Sequence, residues 1–302
     1  MKQAPIEYLS ELVETQAQGE AAIQSLIAKT MEQSGCAVEF YDYFPNQVPV
    51  KGEFSTDEPS NGHKRRVLIA TAKGDPTLPS LLIFAHPDSE TVKNVEKWNS
   101  DPFAAISNNG KLFGWGVADD LAGCACAVEA IKVTLDRKKV ALGDIIFAST
   151  PSKNYARGVA SILHRGLTAD ASLYLHPAES GKGMGEIKAV ASGQLEFSIS
   201  VIGLAPDTTE PGHTAFSHLG VNPIDKAIKI IDALYQLNAA RNLRIKHEKI
   251  HKEVGRSTNL HISNIVSNDE HRLSRLNETC TFGGAISFPP GEDLSQVKEE
   301  IE

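Results

Sequence analysis

Residue types that bind metal ions recur where the chain leaves its apolar stretches. The predicted strand ends, or the polar segments that follow them, carry these residues: His86 and Asp88, Asp119, Lys153 and Asn154, and His176. Open α/β sheets bind ligands at the carboxyl ends of their strands, so we expect these side chains to share one rim. Imidazole and carboxylate are ligands that a zinc-type cation prefers. The spacing predicts a metal centre, although the run at 86–88 taken alone fits a capped turn equally well.

The elements that position these residues alternate between strands and helices over residues 1–192. Strand-like runs occur at 37–41, 66–73, 81–85, 144–148 and 171–175, and helical periodicity at 8–33 (with a break near Gly19), 121–135 and 157–163. This alternation predicts an α/β domain with a mostly parallel sheet and helices on both faces. From about Gly193 the order becomes β-α-β-β-α, which predicts that residues 193–302 form a smaller α+β domain. Its type would be the ferredoxin-like βαββαβ sandwich, incomplete at its C-terminus.

The composition excludes several classes of partner. The 302 residues carry a formal net charge of −8, whereas nucleic-acid binding needs a concentrated basic face. The basic run at 64–66 precedes an apolar strand and is interpreted as its solvated entry. No apolar stretch approaches the roughly 20 residues that span a bilayer, and no secretory signal opens the chain. Four scattered cysteines do not form a disulfide framework, and Cys124 and Cys126 are expected to be packing residues. We therefore expect a cytoplasmic protein without a nucleic-acid or membrane partner.

Several motifs together resemble one enzyme family. They are LLIFAHPD at 81–88, Trp98, DPF at 101–103, NGKLFGWGVADD at 109–120, HTAFSHLGVNPI at 213–224, GRSTN at 255–259 and FPPGE at 288–292. In this order and spacing they resemble the M20 metallopeptidase and deacylase family over nearly the whole chain. The resemblance implies a catalytic α/β domain and an inserted lid that carries the dimer contact. It also implies hydrolysis of an amide bond in a small peptide or an N-acyl amino acid, and a homodimer formed through the lid.

The resemblance assigns roles to individual residues. It implies that His86 binds a metal, that Asp88 orients His86 and that Asp119 bridges two zinc-type ions. It implies that His213 helps to polarise the scissile carbonyl and that Asn259 holds the substrate. Such a site would hold one or two divalent ions, zinc foremost, with cobalt and manganese as alternatives. A metal pair lowers the pKa of a shared water and stabilises the tetrahedral oxyanion.

The sequence departs from the family pattern at the proton-transfer position. Lys153 and Asn154 stand where the family has two glutamates, the general base and a metal ligand. Asn154 offers only a neutral carbonyl oxygen to a metal, and a protonated Lys153 repels cations. His176 replaces an acidic ligand and is expected to bind the metal in its place. These exchanges favour the alternative of a non-hydrolytic protein that binds metal and ligand.

Two further alternatives concern the position of Lys153 and the residues of the lid. Lys153 could lie on the surface of a shifted loop, with Glu179 or Glu186 supplying the missing carboxylate. In the lid, His218 competes with His213 for the same role. Arg256 is assigned to substrate binding together with the neighbouring Asn259, although a solvated charge would explain it equally well.

The family pattern continues beyond the last residue of this sequence. The family's final metal-binding histidine lies after the lid, whereas this chain stops at Glu302, before the fourth lid strand. We expect that the sequence is a fragment of a longer chain.

Overall fold

The computed structural model describes residues 5–49, 62–137, 141–153, 157–176, 185, 187–267 and 273–302. The chain divides into two compact units, Met1–Glu186 and Ile187–Glu302. The assignment of residues 1–192 to a metal-binding domain and of 193–302 to a lid stays a prediction.

The first unit contains a mixed sheet with helices on both faces. Its elements are α1 (Pro5–Thr15), α2 (Glu20–Gln33), β1 (Ala37–Tyr43), β2 (Arg65–Ala72), β3 (Leu81–Ala85), β4 (Ile106–Asn108), β5 (Lys111–Phe113), α3 (Ala122–Arg137), β6 (Ile145–Ser149), α4 (Gly158–His164) and β7 (Ala171–Tyr174). Within the described residues the sheet has five strands in the order β1-β2-β6-β3-β7, and β4 pairs with β5 in a separate hairpin. The break predicted near Gly19 separates α1 from α2, and Gly19 has a φ of 95°.

The α/β class is confirmed, and parallel pairing is confined to one side of the sheet. β3 pairs in parallel with β6 and β7, whereas β1 with β2 and β2 with β6 are antiparallel. A strand buried on both faces shows a continuous apolar run, whatever its direction. Because β2 is such a strand, its antiparallel pairing could not be read from its pattern.

Alternate residues of each central strand face different helices. Leu68 of β2 and Phe147 of β6 belong to the core formed with α1, α2 and α3. Their neighbours Val67 and Ile146 belong to a second core with Ile162 of α4. The two-residue period of a strand therefore sends apolar side chains to both faces, as predicted for a covered sheet.

The second unit is an antiparallel sheet covered by helices. Its elements are β8 (Gly193–Ile202), α5 (Pro223–Arg244), α6 (Glu248–Val254), β9 (Asn259–Val266), β10 (Thr279–Phe288) and α7 (Leu294–Ile301). β10 lies between β8 and β9 and pairs antiparallel with both, as in the predicted split β-α-β arrangement. The prediction missed α6, a seven-residue helix without a buried residue, because such a helix has no apolar face to reveal it.

Two observations bear on the environment that the sequence predicts. Within the described residues, no helix combines the length and the apolar character that crossing a membrane requires. All four cysteines are free thiols, and Cys36, Cys124 and Cys280 are buried. Cys126 is exposed, so its assignment as a packing residue was wrong. Residues two apart on a helix face different directions, and this separates Cys126 from Cys124.

Candidate metal centre

Three loops that follow the parallel strands meet at one edge of the sheet. His86 directly follows β3, Lys153 lies four residues after β6, and His176 lies two residues after β7. The register pairs the last residue of β3, Ala85, with Ser149, the last residue of β6. Parallel strands end at the same edge of a sheet, so these residues share the rim that the sequence predicts.

Asp119 reaches this rim from a different kind of element. It lies in the short segment Val117–Leu121, whose backbone is not helical at Asp119 and which leads from the β4–β5 hairpin into α3. The rim is therefore formed by the ends of three strands and by the segment that leads into α3. Gly123 lets α3 approach closely, because a Cβ atom there would lie 2.2 Å from the carbonyl oxygen of Leu175.

His86, Asp119 and His176 form a compact set of metal-binding groups. Asp119 Oδ1 lies 2.9 Å from His86 Nε2 and 3.4 Å from His176 Nε2. One ligand atom from each residue lies within 4.8 Å of the other two. His86 is buried, Asp119 is partly buried and His176 is exposed, so the set opens toward solvent on one side.

The tautomer of His86 determines what can occupy this set. Its Nδ1 lies 2.9 Å from the main-chain oxygen of Asp88, and a carbonyl oxygen only accepts hydrogen bonds. Nδ1 therefore carries a proton, and in the neutral ring Nε2 presents a lone pair to Asp119 Oδ1. Two acceptors at 2.9 Å repel each other unless a proton or a metal ion lies between them.

The donor set fits a metal ion of the zinc type. Ligand atoms at the corners of a tetrahedral zinc site are about 3.3 Å apart, which follows from the usual zinc–nitrogen and zinc–oxygen distances. The two separations from Asp119 Oδ1, 2.9 Å to His86 Nε2 and 3.4 Å to His176 Nε2, are close to that spacing. Three protein ligands with an open fourth position are typical of catalytic zinc. Asn154, predicted as a further ligand, lies outside the described residues.

Asp88 positions His86 through its main chain. The carboxylate oxygen Oδ1 of Asp88 is 3.6 Å from His86 Nδ1, so the hydrogen bond to the ring comes from the main chain, and the orienting role implied for Asp88 stays a prediction. The carboxylate instead accepts the main-chain N–H groups of Ser152 and Lys153, at 2.9 Å and 3.0 Å. Burial raises the pKa of Asp88, and these hydrogen bonds together with Arg65 oppose the rise. Asp88 thus links the loop after β3 to the loop after β6.

Arg65 was missed as part of the site. Its Nη2 atom donates to Asp88 Oδ2 at 2.9 Å and lies 2.6 Å from Glu20 Oε2, and only 22% of its side chain is exposed. The solvated strand entry predicted for residues 64–66 describes Arg66, which pairs with Asp42 at the surface. Neighbouring strand residues point to opposite faces, so two adjacent arginines differ in burial.

Asp120 is a second missed residue. It is fully buried, and its Oδ2 accepts the main-chain N–H of His86 at 3.0 Å. Burial raises the pKa of Asp120 to about 8, against the lowering effect of that hydrogen bond. The sequence placed Asp119 and Asp120 together at a helix start, and only the fold distinguishes the residue that faces the centre from the residue that supports it.

Lys153 lies inside the centre. Its Nζ atom is 2.5 Å from Asp119 Oδ2, and 25% of its side chain is exposed. Burial would raise the pKa of Asp119, but the hydrogen bond from Lys153 and the charges of Lys153, His86 and His176 hold it below its usual value. The alternative in which Lys153 is a surface residue of a shifted loop is therefore wrong. Glu179 and Glu186, named in that alternative, lie outside the described residues.

The predicted residues of the second unit have local partners. His213 caps the short helix Thr214–Leu219, and its Nδ1 accepts the N–H of Ala215 at 3.0 Å. Its competitor His218 lies in the last turn of that helix. Arg256 donates to Asn259 Oδ1 at 3.3 Å, and both residues are exposed. Their roles toward a substrate stay predictions.

A protein-family model matches the part of the chain that holds this centre. The model of peptidase family M20/M25/M40 matches residues 82–296, which cover every described residue of the metal centre apart from Arg65 and Glu20. The chain belongs to this family, and the resemblance deduced from its motifs is confirmed.

The chain is also similar to individual proteins. It is 26% identical over 282 residues to the N-formyl-4-amino-5-aminomethyl-2-methylpyrimidine deformylase of Bacillus subtilis, a match that covers 93% of this chain and 61% of the relative. The chain therefore spans less than two thirds of the length of that relative. Its fold is similar to the M20 family metallo-carboxypeptidase of Sulfolobus solfataricus, with a TM-score of 0.65 and 16% identity over 99% of this chain and 74% of the other.

A second solved structure has a similar fold. A Bacillus subtilis protein described as a dinuclear metal-binding peptidase from the M20 family matches with a TM-score of 0.57 and 15% identity. The match covers 99% of this chain and 69% of the other. At this identity the likeness concerns the fold.

Proposed function

We propose that the protein is a metal-dependent amidohydrolase that cleaves an N-acyl or N-formyl group, or a peptide bond, from a small substrate. The observation that carries this proposal is the set of three donor atoms on His86, Asp119 and His176, which lie within 4.8 Å of one another. Membership of the M20/M25/M40 family and the similarity to a deformylase support the same class of reaction.

The residues of the centre have separate tasks in this proposal. A zinc-type ion held there would polarise the amide carbonyl and make a bound water acidic. His86, Asp119 and His176 would hold the ion, and the main-chain oxygen of Asp88 would keep the ring of His86 oriented. Lys153 places a positive charge beside Asp119, where it would stabilise the negative charge that develops on the amide oxygen.

The remaining parts of the proposal concern the second unit and the assembly. His213 would contact the carbonyl of the substrate, while Asn259 and Arg256 would bind its polar end. The exposed positions of Asn259 and Arg256 leave both side chains accessible to a ligand. A homodimer formed through residues 193–302 and a cytoplasmic location complete the proposal, together with zinc as the metal.

A second candidate function is the binding of metal and ligand without turnover. Its supporting observation is the ion pair between Lys153 and Asp119. The family pattern implies a proton acceptor at position 153, and an ammonium group has no lone pair with which to accept a proton. A protein with this centre could therefore retain the substrate and not hydrolyse it.

One experiment separates the two functions. The purified protein is loaded with zinc, cobalt or manganese and incubated with N-formyl amines, N-acyl amino acids and dipeptides, and release of the free amine is measured. Turnover supports the hydrolase. Saturable binding in titration calorimetry without amine release supports the binding function. A folded protein that binds no divalent ion contradicts both.

A matched pair of histidine variants links the result to the centre. His86→Ala should weaken metal binding about 100-fold or more, since even outer partners of metal ligands contribute 10- to 100-fold. His164→Ala, an exposed position at the end of α4, should bind metal as the unmodified protein does. Equal metal affinity in both variants would place the metal elsewhere.

A further inference from the structure

We propose that this centre takes one divalent ion and that the ammonium group of Lys153 fills the position of a second. The inference rests on the proposed function, because it concerns the same metal centre. It is carried by the way in which the two carboxylate oxygens of Asp119 are divided between different partners.

Each oxygen of Asp119 faces a distinct group. Oδ1 faces the two imidazoles, 2.9 Å from His86 Nε2 and 3.4 Å from His176 Nε2. Oδ2 is held by Lys153 Nζ at 2.5 Å. A carboxylate that bridges two cations uses one oxygen for each, and here the cation on Oδ2 is part of the chain.

Contacts at the backbone and at the tip of Lys153 hold its ammonium group in place. At the backbone, the N–H of Lys153 donates to Asp88 Oδ2 at 3.0 Å, and the N–H of Ser152 donates to Asp88 Oδ1 at 2.9 Å. Asp88 is itself held by Arg65 at 2.9 Å. At the tip of the side chain, Nζ donates a hydrogen bond to Asp119 Oδ2. The loop is thus fixed to the same segment that supplies His86, and Lys153 is directed into the centre.

The chemistry of an ammonium group excludes a second metal ion at that position. Lysine in its ammonium form offers three N–H donors and no lone pair, so it cannot coordinate a metal. Its positive charge also repels a divalent ion that approaches Oδ2. The arrangement predicts a mononuclear centre with one fixed positive charge beside it, whereas the solved M20 structure is described as dinuclear.

The test counts metal ions in the purified protein and in three variants: Lys153→Arg, Lys153→Met and the double variant Lys153→Glu/Asn154→Glu. Zinc is measured by mass spectrometry after dialysis, and a cobalt titration followed by visible absorption gives an independent count. The unmodified protein and the two single variants should each bind one ion, because none of them gains a carboxylate ligand. The double variant should bind two, since it removes the ammonium group from Asp119 Oδ2 and supplies the carboxylate pair that the family pattern implies, with the metal ligand at 154. Circular dichroism establishes that each variant is folded.

The outcomes distinguish this inference from the proposed function. One ion in the unmodified protein and two in the folded double variant support it. Two ions in the unmodified protein overturn the inference and leave the amidohydrolase proposal intact. A single ion in the folded double variant also overturns it, because the position beside Oδ2 would then not be a metal position. If the double variant does not fold, the count for the unmodified protein decides. No bound ion overturns both this inference and the proposed function.

Discussion

Arg65 is a partly buried charged residue that contacts the metal centre through Asp88. It lies between the carboxylates of Glu20 and Asp88, at 2.6 Å and 2.9 Å, and Asp88 is only 6% exposed. Removing one partner of a buried ion pair leaves an uncompensated charge, which costs far more than the loss of an exposed pair. Because Asp88 also holds the loop that carries Lys153, a substitution of Arg65 should also lower the metal affinity of the centre.

The neighbouring arginines allow a matched test of this role. Arg65→Met should destabilise the protein by about 3 kcal/mol and weaken metal affinity about 10-fold. Arg66→Met removes an exposed ion pair with Asp42 and should change stability by less than about 1 kcal/mol. Chemical unfolding and zinc titration measure the two effects. Similar losses in both variants would mean that Arg65 acts only as a surface charge.

At the scale of elements, the beginning of α3 has to approach the end of β7. Gly123 makes this approach, and a Cβ atom there would lie 2.2 Å from Leu175 O and 2.3 Å from Asp120 Oδ1. Both contacts adjoin metal-binding residues, because Leu175 precedes His176 and Asp120 follows Asp119. Any substitution that pushes α3 away should therefore separate Asp119 from His176.

Gly123→Ala should show this effect against the trend of helix propensity. Alanine favours a helix by about 1 kcal/mol over glycine, but overpacking typically costs about 1–3 kcal/mol. We expect net destabilisation and metal affinity lowered about 10-fold or more. Gly110→Ala is the control: its φ is 73° with no atom within 4 Å of the new Cβ, so it should leave metal affinity unchanged. Unchanged metal binding in folded Gly123→Ala would show that α3 adjusts without moving Asp119.

Glu20, the first residue of α2, should make the stability of the protein depend on pH. Burial raises the pKa of Glu20 to about 7, although the Arg65 guanidinium nearby lowers it. In the unfolded chain the carboxyl group ionises near pH 4.5, so between about pH 4.5 and 7 the folded state binds more protons than the unfolded state. The contribution of Glu20 is therefore fully present below pH 4.5 and is lost as the pH rises through 7.

Comparison with Glu20→Gln isolates this contribution. Relative to the variant, the unmodified protein should lose up to about 3 kcal/mol of unfolding free energy between pH 4.5 and 7, with little further change above that. Urea unfolding at a series of pH values measures the difference. A difference that stays constant, or one that grows with pH, contradicts the raised pKa of Glu20.

For the whole molecule, the two compact units have separate apolar cores. Phe147 is fully buried in the first unit and Phe282 in the second, each within a different cluster. The metal-binding residues described above all belong to the first unit. A core defect in one unit should therefore have consequences that differ from the same defect in the other.

Two phenylalanine truncations test this separation. Each should destabilise its own unit by about 3–5 kcal/mol. Phe147→Ala should also weaken zinc binding, because Phe147 packs in β6 beside β3, which leads into His86. Phe282→Ala should leave zinc affinity unchanged. Hydrogen exchange resolved along the chain, together with zinc titration, provides the readout. Loss of zinc binding in Phe282→Ala would show that the units fold as one.

The sequence by itself predicted most of the strands, most of the helices and the family, and it named His86, Asp119 and His176 as candidate metal ligands, whereas the short hairpin of β4 and β5 was not predicted. It could do so because apolar periodicity and the types of residue at strand ends are local properties of the chain. It also located the exchange at Lys153. Strand direction at β2 and the helix α6 were not determined, since neither leaves a distinctive apolar pattern.

Only the tertiary structure decided what surrounds the metal-binding set. Arg65 and Glu20 precede Asp88 in the chain by many residues, and a contact across that distance depends on how strands and helices pack. Asp88 is close to His86 in the chain, but the packing of two loops directs its carboxylate to the N–H groups of Ser152 and Lys153, and its main-chain oxygen is left to bond His86. The path of one loop determines that Lys153 contacts Asp119 and does not lie on the surface. Hydrogen bonds from this loop to the buried carboxylate of Asp88 fix that path. Sequence patterns identify which residues carry chemistry, whereas distances between non-local atoms decide what that chemistry is.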